Sequence, residues 1–587
     1  MEDEKKREAG RSASRLGRLR RPELLCALLL LLSAGMMLDT ARRKSLTADE
    51  PLLIAAGYYH LTARDFRPVS EHPPFAKTIA AVPLLFAGTE APPVDAAPHD
   101  YEYFLDLFED FWRANDARYE RLTFLARLPA VALTLLLGAL VFVYARRYWG
   151  ERAALFSVAL FAFEPTVLAH GRVVQTDVPS ALALLLFSFT FYEYLKRPTT
   201  RGALWTGLAA GFAVVTKFSM IVLAPVLALA VAWLFVFAPR RGARRGRVLA
   251  QALVVALAAV LAVNAAYLFR GGEPESFDSA MARTVLPAGV LERLHGPLAA
   301  AYGAAQTVFP SDFVSGIGWQ LAHAHGGHPA GLLGQYSMHG WWYYFPVAFA
   351  LKTTLPCLLI SAGAVLWAVL GLRRAREGRT LVLLLPLALF TGLLMLSTIN
   401  IGVRYYLPAY PFLFILGGAF LDDVMRRGRH KLLGTSVFVV GLLCWGAVEA
   451  GRSHPDHMSY MNQLAYKRPH WWYLSDSNVE WGDDVREMAL YLRGRGETQV
   501  GAALLNWQAL ERYGIRQEAL FVPPGERPVE TRYVAVGASL LNGSTVPGSF
   551  DEGPELTEEQ RVNYFDEYRR RAPEAVFGGS IYLFRNQ

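Results

Sequence analysis

Asp49 and Glu50 stand side by side just after the first long apolar run of this 587-residue chain, and Pro51 follows them. A carboxylate within hydrogen-bond reach of a hydroxyl can take its proton as the oxygen attacks. The same residues could simply start a helix, because Asp caps well and Pro suits the first turn. A third carboxylate, Asp177, lies in HGRVVQTDVP (170–179), again just before an apolar run. Four cations accompany them: Lys77 in HPPFAK, Lys217 in VVTK, Lys352 in FALKTTLP and Arg404 in NIGVRYYLPAYP. Snorkelling to lipid headgroups would account for Lys217. It suits Lys352 poorly, since its apolar neighbours imply a depth that needs a counter-charge. A phosphate near the membrane surface would supply one, and the guanidinium fork of Arg404 matches phosphate.

Other residues have the right types but weaker patterns. HAHGGH (323–328), with His339 beyond, offers metal-ligand side chains. Glycines interrupt it and the spacing is not that of a helical zinc motif, so a polar loop is the favoured reading and a divalent metal stays open. GWWYYFP (340–346) reads first as an interfacial aromatic belt, although aromatic faces also stack on sugars. His72, His170, His328, Trp341 and Tyr344 are candidate substrate contacts.

The elements that would position these groups are membrane spans. Hydrophobic residues make up 53% of the chain and charged residues 19%, below the roughly 25% of an ordinary soluble domain. Disorder is excluded. The net charge of +8 comes from short basic clusters between apolar runs, which argues against nucleic acid as a partner. The three cysteines, Cys26, Cys357 and Cys444, fall inside apolar runs and suggest neither a disulfide framework nor a cysteine metal site.

Runs near the ~20 residues needed to cross a bilayer occupy 22–39, 122–145, 152–169, 178–195, 202–216, 219–238, 248–268, 344–371, 380–398, 405–421 and 432–450. That predicts about eleven spans. The first, behind a basic tail (1–21), is read as an uncleaved span rather than a signal peptide. The shorter run 75–88 suits an interfacial helix. With the N-terminus in the cytoplasm, Arg146-Arg147, Lys196-Arg197-Arg201, RRGARRGR (240–247), RRAREGR (373–379) and RRGRHK (426–431) all fall inside, as the positive-inside rule requires. Loops 39–121 and 269–343 and the tail after 450 then lie outside. In that tail TQVGAALLN, TRYVAVGAS and SIYLFRN read as strands and DDVREMALYLRGRG as an amphipathic helix, so 451–587 is expected to form a small extracytoplasmic α/β domain beside a 22–450 membrane domain.

ADEPLLIAAGYYHL…EHPPFAK, HGRVVQTDVP, GFAVVTK, GGHPAGLLGQYSMHGWWYYFPVAFALKTTLP and GVRYYLPAYP together resemble the protein O-mannosyltransferase and aminoarabinose lipid A transferase superfamily, membrane glycosyltransferases of the GT-C type. The resemblance runs from about residue 39 to 421. DSNVEWGDDVREMALYL is similar to a segment that follows the last span in many members. The resemblance implies an α-helical polytopic fold and an inverting transferase that takes a sugar from a polyprenyl phosphate at the outer face of a bacterial inner membrane. The acceptor would be a protein, a lipid or a glycan. Asp49 matches the family's proposed base, with Glu50 and Asp177 as further acidic positions. Lys77, Lys217, Lys352 and Arg404 match its basic, donor-phosphate positions. Gln335 departs from the pattern where a carboxylate is often found, and Glu480 and Asp483 stand where relatives often read Asp and Gln. A transporter would need charges near the midplane, and a scaffold would need an outer domain that works alone.

Overall fold

The computed structural model describes residues 21–586, apart from 96–100, 238–243, 271, 273, 280–287, 373–377, 429–431, 506–508, 524–527 and 550–554. The basic tail up to residue 20, half of the loop 240–247 and most of the loop 373–379 lie outside the described residues.

Each predicted apolar run is helical. In chain order the helices used below are α1 (Arg21–Arg43), α2 (Glu50–Thr62), α3 (Pro74–Ala81), α4 (Tyr119–Trp149), α5 (Glu151–Ala162), α6 (Pro165–His170), α7 (Asp177–Lys196), α8 (Thr200–Thr216), α9 (Leu223–Phe237) and α10 (Arg245–Ala266). They continue with α11 (Ser311–Gly326), α12 (Tyr344–Lys352), α13 (Leu355–Gly371), α14 (Leu381–Met395), α15 (Tyr410–Arg427), α16 (Leu432–Arg452) and α17 (Val485–Gly494). Among the described residues, seven helical stretches are long and apolar enough to cross a membrane. The other predicted runs give α5 with 12 residues, α8 and α13 with 17 each and α14 with 15. Seven of the eleven predicted runs thus meet the length and composition criterion among the described residues. The chain is an integral membrane protein with an α-helical polytopic body and a small sheet near its C-terminus.

Two predicted spans are broken, for the same reason. Run 152–169 stops at Phe163–Glu164, where Pro165 forces Glu164 into an extended conformation. Run 344–371 stops at Thr353 and Thr354, both extended, ahead of Pro356. Lys352 thus ends a short helix instead of sitting two turns into a continuous one. Both breaks lie near the carboxylates. The loop after α1 folds back compactly because Gly57 of α2 meets the backbone of Lys77 on α3. A Cβ there would lie 2.0 Å from the Lys77 carbonyl oxygen.

The tail forms the mixed sheet β4-β3-β5-β7-β6. It comprises β3 (Gln499–Ala503), β4 (Arg516–Ala519), β5 (Tyr533–Gly537), β6 (Ala575–Phe577) and β7 (Ile581–Arg585). β3 runs parallel to β4 and β5, and β7 antiparallel to β5 and β6. Strands β3, β5 and β7 and helix α17 follow the sequence pattern; β4 is short and polar and β6 has only three residues, and both escape it. A hairpin, β1 (Ala330–Leu332) with β2 (Gln335–Ser337), belongs to the segment before α12.

The tail is stitched to the bundle by buried charge. Lys44, at the end of α1, pairs with Asp456 and Asp484 and lies 3.5 Å from Glu487. Burial works against its charge, but Asp484, Asp483 and Asp456 outweigh that and raise the ammonium above its ordinary value. Glu480 enters the gap where β3 and β5 part. It accepts the backbone N–H of Leu505 at 3.0 Å and of Ser539 at 2.9 Å. Burial pushes its carboxyl up to about 7.

A raised folded-state value means that the folded chain holds this proton more tightly than the unfolded chain does. The contribution is full below the unfolded carboxyl range and is lost as pH rises through about 7. The melting temperature of the purified protein should therefore fall between pH 5.5 and pH 8, and Glu480→Gln should fall less. An identical slope in the variant would remove Glu480 as its source.

Candidate functional site

Four of the sequence-predicted residues meet at one end of the bundle. Asp49 precedes α2, Asp177 begins α7, Lys217 ends α8, and Arg404 lies in the 3-10 turn (Val403–Ala409) that leads into α15. Arg404 Nη1 donates to Asp49 Oδ2 at 3.2 Å and lies 4.0 Å from Asp177 Oδ2. Lys217 Nζ bonds Asp177 Oδ1. Two carboxylates and two cations thus alternate in one chain of contacts.

Aromatic faces hold the cations in place. The Lys217 ammonium lies 3.9 Å from the centroid of Tyr405. The Arg404 guanidinium lies 4.1 Å from that of Trp481. Both distances are within cation–π range. The exposures decide the roles. The Asp177 side chain is 1% exposed and that of Arg404 9%, whereas Asp49 is 37% exposed. Asp49 is therefore the carboxylate that an incoming group can reach. Its side chain makes no capping hydrogen bond to α2, so the helix-start reading does not explain it. Arg404 fixes Oδ2 and, among the described residues, no bonded partner occupies Oδ1.

Glu50 does different work. It is fully buried and paired with Arg127, with Nη2 to Oε2 at 2.6 Å and Nε to Oε1 at 2.9 Å. It also accepts the N–H of Thr47 at 2.8 Å and of Val174 at 3.1 Å. Burial pushes its carboxyl up, but Arg127 and these two N–H groups outweigh that and hold it below the ordinary value. Arg127 further donates to the carbonyls of Ala41, Lys44 and Ser45. This pair ties the end of α1, the start of α2 and the loop before α7 together, and Glu50 has no face left for a substrate.

Two of the four expected phosphate cations are also committed elsewhere. Lys352 Nζ donates to the carbonyls of Met458 at 2.6 Å and Asn478 at 2.5 Å, and is 2% exposed as a residue. It is a strut between α12 and the tail. Lys77 Nζ donates to the carbonyl of Val69 at 2.6 Å, and burial pushes its ammonium down to about 7. His72 stands in the field of Lys77, Lys217 and Arg404. Burial and these cations push its imidazole down to about 3, so it is neutral beside the site.

His170 is buried, with its ring 6.0 Å from that of Trp481. Tyr344 is a core residue whose hydroxyl accepts from Asn478 at 2.8 Å. Trp341 is held through its backbone N–H on Asn400. His328 lies at the entry to β1 and, like Arg404, acts on the charge of Asp476. The rings of His323 and His328 lie 5.7 Å apart, and no third ligand joins them among the described residues. The one group of acids that does converge, Asp456, Asp484 and Glu487, has the Lys44 ammonium among them and does not fit a metal ion.

The sequence reading assigned no site residue from DSNVEW (476–481). Leu474 bridges Leu332 of β1, Ser475 Oγ accepts the Gly331 N–H at 2.8 Å, and Ser477 Oγ donates to the Ile401 carbonyl at 2.5 Å. A Cβ on Gly402 would lie 2.4 Å from Ser477 Oγ, so glycine admits the tail here. Asn478 Oδ1 accepts the Val403 N–H at 2.8 Å. Asp476 takes a positive φ of +54°, unusual for a non-glycine residue and common where function imposes strain. It faces His328, Arg404 and Asp49. The polar cluster in DSNVEW, next to a buried tryptophan, was the available signal.

Residues 120–265, which include α7, α8, Asp177 and Lys217, match the family of dolichyl-phosphate-mannose-protein mannosyltransferases. Over that segment the chain is similar to this family. Solved structures similar to it include ArnT from Cupriavidus metallidurans bound to undecaprenyl phosphate, at 14% identity over 87% of this chain and 92% of that one, with a TM-score of 0.46. The apo ArnT gives 15% identity over 84% and 85%, with a TM-score of 0.47. The archaeal oligosaccharyltransferase AglB from Archaeoglobus fulgidus gives 12% over 86% and 61%, with a TM-score of 0.43. No curated protein matches the chain.

The division of labour between neighbouring acids can be measured. Glu50→Gln and Arg127→Met should each lower stability by about 3–5 kcal/mol, the usual cost of breaking a buried pair. Asp49→Asn should unfold within about 0.5 kcal/mol of wild type, as an exposed carboxylate implies. A stable, inactive Glu50→Gln protein would instead make Glu50 part of the chemistry.

Proposed function

We propose that the chain is an inverting glycosyltransferase that moves a sugar from a polyprenyl phosphate to an acceptor hydroxyl or amine at the outer face of a bacterial inner membrane. The observation that carries this reading is Arg404 shared between exposed Asp49 and buried Asp177, with Lys217 beyond.

In this reading the donor phosphate lies against Arg404 and Lys217 with its polyprenyl chain in the bilayer. The acceptor oxygen or nitrogen attacks the anomeric carbon from the opposite face. The bond from that carbon to the phosphate oxygen breaks, and the phosphate leaves with the electron pair. Asp49 takes the acceptor's proton through its open oxygen. Asp177 does not meet the substrate; it sets the positions of both cations. The transition state resembles an oxocarbenium ion, which nearby carboxylates favour. The departing phosphate gains charge, so the two cations bind it more strongly in the transition state than in the ground state. Neighbouring Asp476 and His328 support an acceptor side formed by the tail and the β1 hairpin.

Two solved structures similar to the chain are complexes with polyprenyl-type phosphates, ArnT with undecaprenyl phosphate and AglB with a dolichol-phosphate. The basic clusters at the opposite helix ends support a cytoplasmic N-terminus and an extracytoplasmic tail. A scaffold whose tail works alone fits poorly, because DSNVEW is built into the carboxylate end.

The test is release of polyprenyl phosphate by purified protein in lipid, offered a panel of polyprenyl-phosphate sugars with and without acceptors. Asp49→Asn should lower the rate by about 10²–10⁴-fold, the range for loss of a general base. A variant with wild-type turnover would sink the assignment.

A further inference from the structure

We propose that the end of the bundle opposite the carboxylates holds a headgroup site for an anionic phospholipid of the cytoplasmic leaflet, with Arg379 taking the phosphate. A cavity of about 810 Å³ opens there among the ends of α4, α13, α14 and α15. That volume suits a small-molecule site. Tyr148, Trp149 and Trp367 form aromatic walls, and Arg379, Arg426 and Arg427 supply cations.

The charges do not cancel evenly. Arg426 pairs with Asp422 at 2.6 Å and Arg427 with Asp423 at 2.9 Å. Asp422 also bonds Arg152, and Asp423 accepts Trp367 Nε1 at 2.8 Å. Both carboxylates are therefore occupied by side chains of the protein. Arg379 is different. It donates to the Tyr148 carbonyl at 2.8 Å and lies 5.9 Å from the centroid of the Trp149 ring, and no carboxylate pairs with it among the described residues. Among the described residues it is the cation of the cavity without a carboxylate partner, held in place by an aromatic ring and a carbonyl. A guanidinium so placed selects a phosphate or carboxylate.

The setting points to a lipid as the source of that phosphate. α15 has 18 residues and so spans about 27 Å, which separates the cavity from Arg404 by most of a bilayer core. Arg146, Arg147, Lys196 and Arg197 lie at the same ends as the cavity, as on a cytoplasmic face. One wall is Leu370, which is 69% exposed, so an acyl chain has an apolar surface leading away from the cavity. Basic pockets between helices on this face recognise anionic headgroups. The inference does not depend on the transferase reading.

Native mass spectrometry of the full chain in detergent, titrated with phosphatidylglycerol against an equal concentration of phosphatidylcholine, tests it. Wild type should retain one phosphatidylglycerol, and sn-glycerol 3-phosphate should not displace it. Arg379→Gln, with an unchanged melting temperature, should weaken retention about tenfold, the effect of one charge-assisted bond. Arg201→Gln, an exposed cation near the start of α8, should change nothing. Three results would overturn the proposal: equal retention by Arg379→Gln, equal loss in Arg201→Gln, or displacement by glycerol phosphate, which would indicate a free-phosphate site.

Discussion

A guanidinium almost sealed from solvent must have its charge answered nearby, and Arg404 is the group around which this end of the protein is arranged. Asp49 answers it from the loop after α1, Asp177 from the start of α7, and the Trp481 face from the tail. These three partners come from parts of the chain hundreds of residues apart. Buried Asp177 is the partner whose removal leaves cations without their inner counter-charge, which costs more than the pair contributes when intact. The arrangement therefore fixes the loops relative to one another and keeps one carboxylate oxygen turned outward.

Behind this cluster a second layer holds the loops themselves. Glu50–Arg127 clamps the entry to α2, Lys44 anchors the tail to α1, and Lys352 ties α12 to the carbonyls of Met458 and Asn478. Because these cations are neutralised by fixed protein groups, they are not available to a phosphate. Among the described residues, Arg404 joins the exposed Asp49 to buried Asp177, and Lys217 pairs with Asp177 beyond it. The working site is smaller than the set of charged residues that frame it.

Much of this was legible in the sequence because the bilayer imposes a strong pattern. Apolar runs became helices, and Asp49, Asp177, Lys217 and Arg404 were named before they could be seen together. What was not legible depended on direction and distance. Asp49 and Glu50 are adjacent, but successive residues at a helix start point about 100° apart, so one faces out and the other meets Arg127. Lys352 looked deeply placed only while 344–371 was read as a single span; the break at Thr353–Thr354 puts it against backbone carbonyls. Trp481 and Asp476 reach the site from beyond the last span, a contact that no local periodicity can indicate.

The central claim is that Arg404 carries the donor phosphate and that Asp49 competes for the same guanidinium. The most direct measurement is the affinity of purified protein for polyprenyl phosphate alone, by titration calorimetry, in wild type, Arg404→Gln and Asp49→Asn. The account predicts binding about tenfold weaker in Arg404→Gln, from the lost charge-assisted bond, and equal or tighter binding in Asp49→Asn, where the guanidinium is released. Unchanged affinity in Arg404→Gln, or weaker binding in Asp49→Asn, would contradict it.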